Sequence, residues 1–291
     1  MIKEKSSELR GLLKGNKIIV APGAFDAFSA RLIEQAGFPA VYISGAWAAS
    51  SRLGVPDIGL ATMSEVLDTA KNVVSATNIP VICDVDTGYG NALNVMRTVY
   101  EFERVGVAGI QIEDQITSKK AGHIEGQKLI RKEEMVKKIE AAKFAKRSKD
   151  FILIARTDAI GVNGFDDAMD RASAYFQAGA DVLFIEAPRT KEEMKRITEI
   201  FRHVPVMINI VEGGRTPVLK VDELESLGFR IAIFPASACS AAVKAIQRVL
   251  KELKEKGCTD RFAENMLGLS EMFEVVGLSY YRDLESKYVN F

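Results

Sequence analysis

Histidine and cysteine are scarce in this chain. Two histidines and three cysteines among 291 residues leave little from which to build a zinc site, which wants imidazole or thiolate ligands. Cys83, Cys239 and Cys258 are odd in number and unrelated in spacing, which argues against a disulfide framework and fits a reducing cytoplasm. An excess of charge is missing too, since 39 basic side chains balance 39 acidic ones. No basic stripe with interleaved aromatics is present, so nucleic acid is not the expected partner. No apolar run approaches the ~20 residues of a membrane helix. Residues 1–16 carry Lys3, Glu4, Lys5, Glu8 and Arg10 where a secretion signal would have an apolar core.

What is present is 47% hydrophobic residues arranged in a repeating order. Short apolar runs at 17–21, 40–44, 80–86, 109–114, 151–157, 181–187, 205–210 and 230–235 are strand-length and rich in Val, Ile or Phe. Amphipathic helical patterns lie between them, as at 94–105, 131–147 and 166–178. Ala36-Gly37-Phe38, Val105-Gly106-Val107, Ala178-Gly179-Ala180 and Leu227-Gly228-Phe229 each place glycine just past a helix and directly before a strand, a C-cap signal. Eight such units in series predict an α/β fold, a (β/α)8 TIM barrel. A doubly wound sheet would carry a phosphate-binding glycine loop after its first strand, and Ala21-Pro22-Gly23-Ala24-Phe25-Asp26 is not one. No linker interrupts 1–291, so one domain is expected. Beyond a Lys256-Gly257 break, residues 258–291 add a C-terminal helical extension whose Leu267, Met272, Phe273, Val276 and Leu278 need cover.

The ends of the apolar runs carry the chemistry. In such a barrel the active site lies where the strands finish. The endings are Ser44-Gly45, Asp84-Val85-Asp86, Glu113-Asp114, Arg156-Thr157-Asp158, Glu186, Asn209 and Pro235. Charges gathered on one mouth need compensation, because unpaired buried charge is costly. Asp84 and Asp86 alternate around Val85 and so share a strand face. With Glu113 one strand along, they form a hard, all-oxygen cluster suited to Mg2+, or Mn2+, held partly through water. Capping of a helix by an Asp-rich strand end is the plainer account. Ser44-Gly45-Ala46 offers N–H groups and a hydroxyl to a carboxylate, or is an ordinary loop. Arg156 fits a two-pronged carboxylate pair, or a salt bridge to Glu186 or Asp158. Asn209 is a neutral donor to substrate or a polar cap on the rim. His123 gains interest only from its neighbours, and Cys83 reads as a small core residue.

These motifs, with Tyr42-Ile43-Ser44-Gly45, Gly54-Val55-Pro56-Asp57, Asp84-Val85-Asp86-Thr87-Gly88-Tyr89-Gly90, Ile112-Glu113-Asp114-Gln115 and Ala155-Arg156-Thr157-Asp158, resemble the isocitrate lyase and phosphoenolpyruvate mutase superfamily along nearly the whole chain. Closest in pattern is its branch of methylisocitrate lyases, dimethylmalate lyases and petal death protein. The resemblance implies Mg2+ at Asp84 and Asp86, with Asp57 and Glu113 in its water shell. It implies a pyruvate-like unit on Ser44, Gly45 and Ala46, and substrate contacts from Arg156, Glu186 and Asn209. The loop of Lys119, Lys120, Ala121, Gly122 and His123 closes over that unit. A homotetramer with a late helix exchanged between subunits is also implied.

Gly122-His123 favours the carbon–carbon lyases, which cleave a substituted malate of the 2,3-dimethylmalate or 2-methylisocitrate type to pyruvate or a related oxo acid plus a carboxylate. The substrate is then a small di- or tricarboxylate. Methylisocitrate lyases place two arginines where this chain aligns Ser240 and Leu269, which favours the smaller malates. In those lyases the loop cysteine gives a proton, and here that position is Ala121. Three accounts stand open: a substitution made to trap substrate, a decarboxylase-like branch in which water gives the proton, or His123 acting instead. An oxaloacetate decarboxylase, an enzyme like carboxyphosphonoenolpyruvate phosphonomutase, and an inactive metabolite-binding barrel are the other readings.

Overall fold

The computed structural model describes residues 2–289, which fall into two compact units, Met1–Ser237 and Ala238–Phe291. The first unit is a closed barrel of eight parallel strands in sequential order. The strands are β1 (Ile19–Ala24), β2 (Val41–Ile43), β3 (Val81–Asp84), β4 (Gly109–Glu113), β5 (Ile152–Thr157), β6 (Val182–Ile185), β7 (Val206–Asn209) and β8 (Ile231–Phe234). Helices connect each strand to the next, as the alternating pattern predicts. Gly37, Gly106, Gly179 and Gly228 all take φ between 84° and 114°, where a side chain would be strained, so each ends its helix as expected.

β1 lies later than the expected 17–21. Pro22, beyond the expected run, pairs with Phe234 on β8. Gly23 packs so tightly on β8's exit that an added Cβ would fall 2.5 Å from Pro235 Cα. β3 stops at Asp84, two residues short of the expected 86, because Asp86 turns into the left-handed region with φ 49°. The shared strand face expected for Asp84 and Asp86 is therefore corrected: Asp86 stands just past the strand.

Alternation along the strands separates two cores. Val81, Cys83, Val85, Ile110, Ile112, Leu153, Leu183 and Ile208 pack outward in the larger cluster. Ile19, Ala21, Tyr42, Ile82, Ile152, Ile154, Val182, Phe184, Met207, Ile231 and Ile233 form the smaller one inside the barrel, joined by Leu9 and Leu13 of the helix Ile2–Lys14. The inward faces are thus mostly apolar, with polar groups such as Gln111, Asp84 and Glu113 gathering toward the strand ends. Cys83 is buried in the outer core, as expected.

The second unit comprises most of the helix Ser237–Lys256, a 3-10 turn Asp260–Asn265 and the helices Leu269–Val275 and Leu278–Tyr288. The expected extension from 258 lies within it. Gly257, at φ 71°, ends the long helix where the Lys-Gly break predicts. Among the described residues no helix is long and apolar enough to cross a membrane.

Candidate active site

Ser44 ends the β2 segment and opens the helix Gly45–Leu53 without using its hydroxyl as a cap. The first turn of a helix leaves N–H groups without intrahelical acceptors and favours negative charge. The mouth of the barrel therefore has an anion-accepting edge at 44–46. Gly45 packs closely on the carboxylates: a Cβ there would lie 3.1 Å from Asp84 Oδ2 and 3.2 Å from Asp86 Oδ1. The two carboxylates converge on that point although Asp86 has left the strand.

Lys119 is the centre of the carboxylate group. Its Nζ bonds Asp86, pairs with Asp57 Oδ1 at 2.9 Å and lies 3.8 Å from Glu113 Oε1. Burial alone would weaken its hold on the proton, but Glu113, Asp86, Asp84 and Asp57 together raise it well above the usual lysine range. Burial likewise pushes Asp84 up to about 6, with Lys119 opposing and Asp86 adding to the rise. Glu113 is raised by burial too, against Lys119 and Arg156. Asp84 Oδ1 accepts from Asp86 N at 3.0 Å and from Gln111 Nε2 at 3.2 Å, and the Tyr42 hydroxyl donates to Gln111 Oε1.

Arg156 makes the salt bridges to Asp158 and Glu186 that one of its two sequence readings expects. Its Nε and Nη2 grip Asp158 at 3.0 and 2.8 Å, its Nη1 is 3.3 Å from Glu186, and Glu113 is 3.5 Å from its Nε. Glu186 would be raised by burial, yet Arg156 and the hydrogen bonds from His123 and Asn209 outweigh that and hold it at about 2. His123 Nδ1 accepts the Arg215 N–H at 3.0 Å, so Nε2 carries the proton that meets Glu186 Oε1 at 3.0 Å. Asn209 Nδ2 donates to both Glu186 oxygens, at 3.3 and 3.2 Å.

The loop between β4 and the next helix is pinned over this set by two glutamines. Gln115 Nε2 donates to Lys120 O at 2.8 Å and its Oε1 accepts Lys120 N–H at 3.0 Å. Gln127 Nε2 donates to Ala121 O and Gly122 O at 3.2 and 2.7 Å. A Cβ at Gly122 would collide with Arg156 Nη2 and stand 2.6 Å from Glu186 Cγ, so the loop rests directly on the ion pairs.

A cleft of about 440 Å³ opens between them, lined by Ser44, Ala46, Asp57, Asp84, Ala121, Gly122, His123, Arg156, Glu186 and Asn209. Of the other sequence-predicted residues, Gly45 and Asp86 border Asp84, while Glu113 and Lys119 are buried in the same ion-pair network. The residues expected to serve catalysis, substrate or metal thus gather in one place, while Asp114 of the same strand ends turns away from it. Sequence reasoning missed Tyr42 and Trp47, which line the cleft beside the Ser44-Gly45 motif and were within reach of it. It also missed Gln127 and the loop-pinning role of Gln115, a member of the Glu113-Asp114-Gln115 motif, because side-chain bonds to loop backbone leave no pattern in one sequence.

A divalent cation fits these residues. The donors are carboxylate oxygens, and both oxygens of fully buried Glu113 lack a hydrogen-bond partner, which water on a cation would supply. Among the described residues no three His, Cys, Asp or Glu side chains form a direct ligand group, so the shell needs water.

A family model described as phosphoenolpyruvate phosphomutase matches residues 9–254. The 2,3-dimethylmalate lyase of Eubacterium barkeri is 47% identical over 283 residues, 97% of this chain and 98% of that protein. A 2-methylisocitrate lyase of Aeropyrum pernix is 43% identical over 279 residues, 96% of this chain and 88% of its own length. The solved structure of oxaloacetate acetylhydrolase in complex with the inhibitor 3,3-difluorooxalacetate has a TM-score of 0.94 at 36% identity, covering 98% of this chain and 97% of that one. The chain belongs to the phosphoenolpyruvate mutase family of the isocitrate lyase superfamily, and it stands among the carbon–carbon lyases of that family.

Proposed function

We propose that this barrel cleaves the C2–C3 bond of a substituted malate, releasing pyruvate or a related oxo acid and a carboxylate. The supporting observation is one cleft of about 440 Å³ that joins an anion-binding side, Arg156 and Asn209, to the carboxylate cradle at Asp84. Asp84 and Asp86, with Asp57 and Glu113 nearby, would hold Mg2+ or Mn2+, which would supply positive charge for the oxygen on C2. Arg156 and the helix start at 44–46 hold the substrate carboxylate and orient the bond to be broken. The hydroxyl proton leaves to a base, the C2–C3 electron pair passes to C3, and a proton then quenches the carbanion. Ala121 brings only a methyl group to the cleft, so that proton comes from water or from His123, whose Nε2–H meets Glu186. Closure of the loop over Arg156 keeps bulk water from the carbanion.

The chain acts as a homotetramer with late helices exchanged between subunits. Val243, Ile246, Leu250 and Leu253 are exposed at three- and four-residue spacing on one helix, a stripe that a second copy covers. Light scattering at the tetramer mass is the expected result.

Pyruvate release from 2,3-dimethylmalate, 2-methylisocitrate and oxaloacetate tests the reaction. Two missing arginines, each worth roughly 1.5–3 kcal/mol, put methylisocitrate more than about a hundredfold behind dimethylmalate. Fast oxaloacetate decarboxylation with no cleavage of either malate would overturn the lyase reading.

A further inference from the structure

Lys138 is buried in the barrel wall, and the proposed reaction does not use it. It lies on the helix Lys132–Ala145, is 4% exposed, and its Nζ donates to Thr87 O at 3.1 Å. Burial lowers its affinity for the proton, and Glu134, one turn earlier on the same helix, opposes this only in part. A buried amine with one backbone acceptor is a burden on stability, so its location calls for a reason.

Thr87 directly follows Asp86. The turn there is strained: φ is 49° at Asp86, 81° at Gly88, 60° at Tyr89 and 144° at Gly90. Two of these are non-glycine residues in the left-handed region, which persists only when the surroundings enforce it. The restraints can be named. Asp86 O accepts Glu113 N–H at 2.9 Å, Gly88 N–H reaches Val85 O at 2.9 Å, and Thr98 Oγ1 donates to Gly88 O at 3.3 Å. These ties come from β4, from the turn itself and from the helix Ala92–Arg104. Lys138 adds one from the next helix, at the peptide unit on the far side of Asp86.

We propose that Lys138 is a positioning residue for the divalent-cation cradle, holding the left-handed turn at 86–90 so that Asp86 presents its carboxylate beside Asp84. This rests on the cation reading of Asp84 and Asp86. It explains why a lysine is kept where an apolar side chain would suit the fold better.

The test compares the unmodified chain with Lys138→Met and Lys138→Gln. Mn2+ affinity is read from the EPR signal of free Mn2+, and urea unfolding is followed in chelator. Methionine keeps the length of the stem and removes the donor. Lys138→Met is expected to weaken Mn2+ binding by at least about tenfold, the usual scale for a support behind a metal ligand. Its unfolding midpoint stays level or rises, because a buried amine has gone. Lys138→Gln restores an N–H donor and recovers at least about threefold of the lost affinity. Mn2+ affinity in Lys138→Met within about twofold of the unmodified chain would overturn the proposal. So would a fallen midpoint, or failure to fold, in Lys138→Met, since the amine would then be structural. Lack of Mn2+ binding by the unmodified chain would remove the cation reading itself, and this proposal with it.

Discussion

Replacing Asp84 by asparagine asks whether the mouth holds its carboxylates against the preference of the fold. Asp84 is 6% exposed, and burial, with Asp86 nearby and Lys119 opposing, lifts it from 3.8 to about 6. At neutral pH it is ionised in a site that favours the neutral form. The folded chain binds the proton more tightly than the unfolded one, so between pH 3.8 and 6 the native state holds more protons. Stability therefore declines as pH rises through that window, and the full penalty is present above about 6. The rise of about two pH units, at ~1.4 kcal/mol each, sets a ceiling of about 3 kcal/mol.

Asparagine has nearly the same shape, and its oxygen can still accept from Asp86 N and Gln111 Nε2, now at 3.0 and 3.2 Å. Asp84→Asn is thus expected to raise the unfolding free energy by about 1–3 kcal/mol at pH 7.5. The gain shrinks below about 1 kcal/mol at pH 4, where folded Asp84 is protonated and unfolded Asp84 is close to its own midpoint. Urea unfolding at the two pH values, in chelator so that no cation contributes, measures it. Binding of oxalate, a mimic of the pyruvate enolate, should be lost in the same variant. A lower stability at pH 7.5, or an equal gain at both pH values, would refute the reasoning.

Glu186→Gln should do the reverse. Arg156 and His123 hold that carboxylate at about 2 despite burial, so its contribution is present above 4.5 and lost as pH falls toward 2. A loss of about 2–4 kcal/mol at pH 7 that closes in acid is expected from urea unfolding. Gly122→Ala places a methyl group against Arg156 and Glu186, so the loop must lift. Turnover should fall by about 10²-fold with the fold intact by circular dichroism, and unchanged turnover would mean the loop does not work in this position. Ala121→Cys returns a thiol to the cleft and should raise malate cleavage at least about tenfold with a smaller change in KM. A flat response in steady-state kinetics would point to a reaction that needs no loop acid.

The eight strands and the residues at their ends were legible because each rests on a short-range rule. Glycine past a helix, apolar runs of strand length and polar groups at the last position all survive in a single sequence. The two-residue period could also have separated Glu113 from Asp114. Glu113 turns into the mouth. Asp114 turns outward, where Thr157 Oγ1 at 2.8 Å, Tyr175 OH at 2.7 Å and Arg171 at 3.3 Å satisfy it. Its other oxygen takes the Asp158 N–H at 3.0 Å, which sets the carboxylate that Arg156 grips. Adjacent acids at one strand end therefore serve different layers, one as a site group and one as its support.

The positions of loop side chains were not legible, because a loop has no period to read. Lys119 pairs with Asp86, Asp57 and Glu113 from a loop whose backbone Gln115 and Gln127 fix at residues 120–122, just after it. Charge state was further out of reach. Asp84 and Glu186 look alike in sequence, each an acid closing an apolar run. Asp84 is buried where Lys119 answers only part of the loss of water, and its proton is held more tightly. Glu186 is buried against Arg156, His123 and Asn209, and its proton is given up readily. A carboxylate at the end of β3 and one just past β6 thus carry opposite free energies, because the partners of Glu186 come from β5, β7 and a loop far away in the chain. Pairing across the barrel, which no local pattern encodes, sets which acid can meet a cation and which must stay locked to arginine.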